Sequence, residues 1–309
     1  MKAPAISVII PAYGVAAMLP DALDSLLAQD RDDWEAIVID DGDARVAAAV
    51  EPYARDSRIR FLQTENGGLP TARNRAIAAA RAPLISLLDG DDVYLPGYVS
   101  AMIAAIETSP TVGFASCDAL YFGHDRVGER FSTYCPQATP ATLERVLRRQ
   151  FNIFICTTMR RAAVDAIGGF DAGLKSAEDL DLWLRLLEAG WDLAYVPQPL
   201  AQYRRRPGQM SSNSVVMNQS EMMVYEHARQ RLEGRPEQAV AIEMYDRTAK
   251  LLEAELGLGR VRAGATGEGV NMLRAAEVHK RSLRWRIAML LIRIAPGLAG
   301  PLIRLRDKI

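Results

Sequence analysis

The sequence predicts an α/β protein: a mainly parallel sheet covered by helices on both faces, followed by a helical C-terminal extension. Short apolar runs at residues 6–10, 36–39, 59–62, 84–88 and 112–116 alternate with helix-like segments at 19–29, 44–54, 71–81 and 96–107. That is the rhythm of βαβ units. Chemically distinctive loops follow the first, second and fourth runs, and ligands of open α/β sheets bind beyond the carboxyl ends of the strands. Near residue 211 the rhythm gives way to charged, alanine-rich helices. The expected domains are therefore residues 1–210 and 211–309.

Each element has a local reason. The first run, Ile6-Ser7-Val8-Ile9-Ile10, leads into Pro11-Ala12-Tyr13-Gly14, and the second ends in Asp40-Asp41-Gly42. The third is followed by Asn66-Gly67-Gly68, whose glycines let backbone approach a ligand ahead of a helix N-terminus. The fourth ends in Asp89-Gly90-Asp91-Asp92, three carboxylates within four positions. Residues 121–150 are irregular apart from a helix-like stretch at 139–149, and residues 151–158 read as a further strand. Gly168-Gly169-Phe170-Asp171 then precedes Ser176-Ala177-Glu178-Asp179, which opens a helix through Leu180, Leu184 and Leu187 that stops at Gly190.

Composition excludes several classes. The 309 residues are 49% hydrophobic and 24% charged, as in soluble globular proteins. A net charge of -1 argues against a nucleic-acid partner. Cys117, Cys135 and Cys156 are widely spaced and read as reduced, intracellular thiols. Three isolated histidines exclude a multi-histidine zinc site. With no signal-peptide pattern and no apolar run near the ~20 residues that span a bilayer, a cytoplasmic chain is expected, or one peripheral on the cytoplasmic membrane face.

The acidic run at 89–92 repels itself unless solvent or a cation compensates it, and hard oxygen ligands suit Mg²⁺ or Mn²⁺. Asp40 at a sheet edge can accept a uracil imide N–H or ribose hydroxyls, and Asp-Gly is equally a strong turn former. Tyr13 offers a stacking face for a base, or is an ordinary loop tyrosine. Arg73 and Arg75 point to different helix faces, and Arg73 is the one expected to reach the site. Glu178 and Asp179 suit a helix N-terminus by dipole and capping alone; the same setting also keeps Asp179 ionised and ready to take a proton.

Taken in order, the segments 8–13, 40–42, 65–74, 88–92, 168–171 and 178–179 resemble those of the family 2 glycosyltransferases with the GT-A nucleotide-sugar fold, over roughly residues 5 to 210. The resemblance implies an inverting transfer from a nucleotide-diphosphate sugar, a UDP-sugar first, to a saccharide or lipid-linked acceptor, in cell-surface polysaccharide biosynthesis. It implies that Pro11, Tyr13 and Asp40 line the nucleoside pocket with Arg73 near the nucleotide. Asp89-Gly90-Asp91 would be the DxD motif, Asp91 meeting a divalent Mn²⁺ or Mg²⁺ and Asp89, the second acidic group of that site, lying closer to the ribose. Asp179 would be the catalytic base with Glu178 beside it on the substrate side, and Gly169 to Asp171 would border the acceptor.

Two departures stand out. Asp43 follows Asp-Asp-Gly where many relatives have Ser or Thr, and Arg206 stands where many carry histidine. Arginine cannot ligate a metal but can grip a diphosphate. A dinucleotide oxidoreductase would need GxGxxG after the first strand, which is absent, and a sugar nucleotidyltransferase would want a basic phosphate loop there. A non-catalytic nucleotide-sugar-binding subunit conflicts with the joint presence of Asp89, Asp91 and Asp179. In the tail, residues 282–309, an almost all-round apolar helix with flanking arginines suits an anionic membrane surface; packing on the catalytic domain or on a second subunit of a homodimer is the other reading.

Overall fold

The computed structural model describes residues 3–276 together with Ile287, Leu290 and Leu291. The remainder of the tail, with its expected membrane or subunit face, lies outside the described residues. In chain order the first half holds β1 (Ile6–Ala12), α1 (Leu19–Leu27), β2 (Trp34–Asp41), α2 (Arg45–Val50), β3 (Ile59–Thr64), α3 (Leu69–Ala79), β4 (Leu84–Leu87), β5 (Val93–Tyr94), α4 (Tyr98–Glu107) and β6 (Val112–Gly123). Then follow α5 (Phe131–Tyr134), α6 (Leu143–Leu147), β7 (Thr157–Arg160), α7 (Arg161–Ala166), α8 (Glu178–Glu188) and β8 (Asp192–Arg205). The chain divides into two compact units, Met1–Gln209 and Met210–Ile309.

In the first unit an 8-stranded sheet runs in the order β3-β2-β1-β4-β7-β6-β8-β5. β1, β2, β3, β4, β6 and β8 share one direction, and β5 and β7 run against it. β1 and β2 are buried along their whole length, as strands covered on both faces must be. Their parallel register pairs Ile10 with Val38 and Ala12 with Asp40, so the loop after β1 ends beside the aspartates of β2. Ile9 pairs with Leu87 on the other side, which delivers the acidic loop to the same edge.

Several expected elements differ in extent. The helix expected over 139–149 is confined to Leu143–Leu147, because the Thr142 hydroxyl accepts the Arg145 N–H and starts the helix there. The strand expected over 151–158 begins only at Thr157. The residues before it are mostly buried and make one isolated bridge, Phe151 to Gln137, and the Phe154 carbonyl is met by the hydroxyls of Thr157 at 2.6 Å and Ser116 at 3.4 Å. β8 was not anticipated, since Pro197 and Pro199 break its pattern; they sit where the register against β6 shifts between Cys117 and Ala119. β8 matters for the site. Its pairing of Val93 with Gln202 and Tyr94 with Ala201 brings its end alongside the acidic loop.

The second unit holds α9 (Ser214–Arg231), α10 (Glu237–Arg262) and α11 (Thr266–Ala275), with α10 packed on both others. A Cβ on Gly269 would lie 2.5 Å from the Gly257 carbonyl, so these glycines permit the close approach of α10 and α11. Among the described residues no helix is long and apolar enough to cross a membrane. All three cysteines are free thiols, Cys117 and Cys156 buried and Cys135 half-buried.

Under the acidic loop lies a buried polar knot. The Ser86 hydroxyl bonds Tyr94 at 2.8 Å, Thr158 at 2.9 Å and Tyr98 at 3.2 Å, and the two tyrosine rings stack at 3.6 Å. Ser86→Ala removes the hydroxyl on which the three converge, leaving Tyr94 on the Leu87 carbonyl at 2.7 Å and Tyr98 with Thr158 at 3.4 Å. Ser86→Ala should therefore lower stability by about 1–3 kcal/mol; a urea midpoint equal to that of the parent protein would remove the knot from the account.

Candidate active site

The site is built at the C-terminal ends of β1, β2 and β4. Along β2, Asp40 and Asp41 alternate in direction, and each carboxylate organises a different loop. Asp40 is wholly buried, accepting the Asp43 N–H at 2.7 Å and the Gln63 amide at 3.2 Å. From inside, its carboxylate shapes the loop that the resemblance assigns to the nucleoside. Asp41 accepts the N–H groups of Gly67 at 2.8 Å and Gly68 at 2.9 Å. Asp43 accepts the Gly14 N–H at 3.0 Å and the Arg45 guanidinium at 2.8 Å. Arg45 holds its carboxyl well below the usual range. The departure at Asp43 is therefore a clasp between the first two loops. Tyr13 is left at the tip, 60% exposed and open to a flat partner.

Gly90 fits between its aspartates because a Cβ there would stand 2.9 Å from Val15 Cγ2 and 3.0 Å from the Pro11 carbonyl. Pro11 itself belongs to β1, and its backbone walls the acidic loop. On either side of that glycine the carboxylates have different partners. Asp89 accepts from Arg73 Nη2 at 2.6 Å, and Asp91 accepts from Arg206 Nε at 2.9 Å. Asp92, 1% exposed, accepts the Arg204 N–H at 2.9 Å through one oxygen, while its Oδ2 is buried without a partner.

Arg73 is the hub. Its side chain is 1% exposed, and Nη1 meets Glu178 at 2.5 Å while Nη2 meets Asp89. Burial opposes its charge, but Asp89 and Glu178 outweigh burial and hold the guanidinium above its ordinary value. Arg73 and Glu178, both expected on the substrate side, are paired with each other. The reason is topological: α3 lies between the acidic loop and the head of α8. The next residue does parallel work. The Asn74 amide donates to the Phe170 carbonyl and accepts the Phe170 N–H, both at 2.8 Å. Gly169, at φ +74, is where a Cβ would strike Asn74 Oδ1 at 2.6 Å. Arg75, by contrast, bonds the Glu65 carbonyl at 2.9 Å on the exposed side of α3.

Asp179 stands beside Glu178 in the first turn of α8, after Ala177 in the left-handed region at φ 55. It is half-buried, and Oδ1 accepts the Leu180 N–H at 2.7 Å. Burial pushes its carboxyl up, against the pull of Arg73 and Arg149. Burial likewise raises Glu178, opposed by Arg73. Burial and the neighbouring Asp89 raise Asp91, opposed by Arg206, and burial with Asp91 and Asp89 raises Asp92.

This donor set fits a hard divalent cation. Three carboxylates crowd one loop, and burial together with the neighbouring carboxylates raises Asp91 and Asp92 above the ordinary carboxylate range. Among the described residues no group of three or more His, Cys, Asp or Glu side chains forms a ready-made cage. The acidic loop offers one or two carboxylates to a cation whose other ligands would be substrate phosphates and water. The sequence reading gave no separate role to Asn74 or Arg204, although Asn74 directly follows Arg73, and it took Asp92 only as the end of the acidic run.

A Rossmann-like sheet with such an acidic loop at its edge and a carboxylate-headed helix facing it is the GT-A glycosyltransferase fold. The chain belongs to Glycosyl transferase family 2, whose model matches residues 7–168. It is 31% identical over 205 residues to the succinoglycan biosynthesis protein ExoU of Rhizobium meliloti, covering 60% of this chain and 57% of that protein. Of three other curated relatives the chain spans only 23%, 26% and 16% of the length. Among solved structures, S. aureus TarS 1-349 in complex with UDP-GlcNAc superposes with a TM-score of 0.65 at 17% identity, over 98% of this chain and 91% of that one. The mannosyltransferase PcManGT from Pyrobaculum calidifontis in complex with GDP-Man and Mn²⁺ gives 0.63 at 18% identity, over 97% and 88%. At these identities the likeness speaks for the fold.

Replacing Arg73 with alanine would strand two carboxylates, one of them buried. Loss of one partner from a buried ion network typically destabilises by about 3–5 kcal/mol. A fall of that size in the unfolding free energy of Arg73→Ala is expected from urea melts; a loss below about 1 kcal/mol would mean that the network is not a structural clamp.

Proposed function

We propose that the protein transfers a sugar, with inversion, from a nucleotide-diphosphate sugar to a hydroxyl of a saccharide or glycolipid acceptor, with a UDP-sugar as the first donor to test. The reading is carried by one observation: a single buried guanidinium joins the acidic loop to the head of α8. Asp179 thereby shares one sheet edge with Asp89 and Asp91, as a transfer between diphosphate and acceptor requires. ExoU, a relative named for succinoglycan biosynthesis, supports a role in making cell-surface polysaccharide.

In this mechanism exposed Tyr13 lies against the nucleobase. The Asp43 clasp and the Asp41 bonds to Gly67 and Gly68 keep the nucleoside loops in place. Asp91, with Asp89 as the second carboxylate, would hold the divalent cation, which supplies Lewis-acid stabilisation of the departing diphosphate. Gly169 and Phe170, fixed by Asn74, border the acceptor. Asp179 takes the proton of the acceptor hydroxyl as that oxygen attacks the anomeric carbon from the face opposite the nucleotide. Its upward shift makes it a stronger base than an ordinary carboxylate, and general-base help of this kind is worth roughly 10² to 10⁴ in rate.

Release of free nucleotide from a panel of UDP-, GDP- and dTDP-sugars with Mn²⁺ tests the activity itself, and silence across the panel with acceptor saccharides present would contradict it. Within an active pair, Asp179→Asn should keep nucleotide affinity while kcat falls by about 10² to 10⁴. Calorimetry beside turnover reads both; parallel losses would demote Asp179 to a helix cap.

The pH profile carries its own sign. A base must be deprotonated to act, and the Asp179 carboxyl is raised, so activity should fall on acidification at a higher pH than an ordinary carboxylate near ~4 allows. That acid limb should vanish from the residual rate of Asp179→Asn. Persistence of the same limb in the variant would assign it to another group.

A further inference from the structure

Three arginines surround the acidic loop, and they are bound in different ways. Arg73 is buried and divided between Asp89 and Glu178. Arg204 is committed on three sides: its N–H to Asp92, Nε to the Asp91 carbonyl at 2.7 Å, and Nη2 to Asp21 at 2.6 Å, with its guanidinium 4.2 Å from the Phe122 ring centroid. Arg206 is held otherwise. Its backbone N–H is fixed by Gln209 Oε1 at 2.9 Å, and the Gln209 amide is tied to the Tyr203 hydroxyl at 3.1 Å. The side chain, 34% exposed, makes a single-point contact, Nε to Asp91 Oδ2 at 2.9 Å. The backbone is pinned and the guanidinium can pivot.

We propose that Arg206 competes with the divalent cation for Asp91 and is released to the diphosphate of the donor, which makes metal and nucleotide bind cooperatively. The inference rests on the reading of Asp91 as the metal-facing carboxylate and adds a role that reading does not contain. A guanidinium on Oδ2 occupies lone pairs a cation would use and repels that cation at short range. The pair is held at one point and its guanidinium end is one-third open to solvent, so it is displaced easily once a better partner exists. The donor's diphosphate is that partner: a guanidinium binds phosphate oxygens through paired N–H groups, where Asp91 receives one. Cation alone must therefore displace Arg206 unaided, and nucleotide alone must draw Arg206 off a carboxylate that is then left bare. Each ligand removes the obstacle to the other, and linkage requires the effect to be reciprocal.

The test is Mn²⁺ binding, read from the loss of the free-ion electron paramagnetic resonance signal, with and without UDP and in parallel GDP. It is run on the full chain and on Arg206→Gln, which is shorter, keeps an N–H donor near the Nε position and removes the charge. The parent protein should bind Mn²⁺ weakly alone and at least fivefold more tightly with one of the nucleotides. Arg206→Gln should bind Mn²⁺ alone about three- to tenfold more tightly than the parent, and the gain from nucleotide should shrink. Arg206→Lys, which keeps the charge, should stay close to the parent for Mn²⁺ alone. Mn²⁺ binding that Arg206→Gln leaves unchanged, with the nucleotide gain intact, would overturn this inference and leave the metal assignment standing. No Mn²⁺ binding with either nucleotide would overturn both.

Discussion

A guanidinium that is almost wholly buried cannot shed its charge and must be met by carboxylates. Arg73 meets two, and they belong to segments far apart in sequence: the loop after β4 and the first turn of α8, which begins 105 residues beyond Arg73. The rest of the site depends on that pairing. It sets the distance between the carboxylates that would face a diphosphate and the one that would face an acceptor. It also fixes α3 against both, so that Asn74 can hold the Gly169–Phe170 turn with the opposite half of the same helical step.

The close approach forced by this clamp accounts for the small residues around it. Gly90 lies where the acidic loop touches the end of β1, and Gly169 where the turn touches Asn74. Ala177 takes a left-handed backbone immediately before Glu178, a conformation disfavoured for a residue with a Cβ. Strain of this kind persists only where the surroundings over-determine it. Here the surroundings are the buried Glu178 on one side and the apolar face of α8 on the other, where Leu182, Trp183, Leu184 and Leu186 are buried. The head of α8 is thereby held in place while Asp179 stays half-buried.

Much of this was legible in the chain. The apolar runs at 6–10 and 36–39 are continuous because β1 and β2 are buried on both faces, and such runs announce a covered parallel sheet. The acidic run could be placed at a sheet edge because strand ends carry ligands in this architecture. What could not be read was partnership. Asp40, Arg73 and Glu178 have the right chemistry to touch substrate, and nothing in their spacing reveals that a neighbouring loop or helix already claims them. β8 was hidden for a different reason: its two prolines fall at a bulge, so a strand with bulge chemistry reads as a loop. With β8 unseen, the approach of Arg204 to the acidic loop was unseen as well, and Arg206 was placed at the site by the resemblance alone.

The central claim is that one buried arginine couples the diphosphate side of the site to the acceptor side. A crystal structure of the protein with UDP and Mn²⁺ tests it most directly. The account predicts the diphosphate over the Asp89–Asp91 loop, Asp179 facing the same cleft, and Arg73 still bridging Asp89 and Glu178. Nucleotide bound at another edge, or Arg73 withdrawn from Glu178 onto the phosphates, would contradict it.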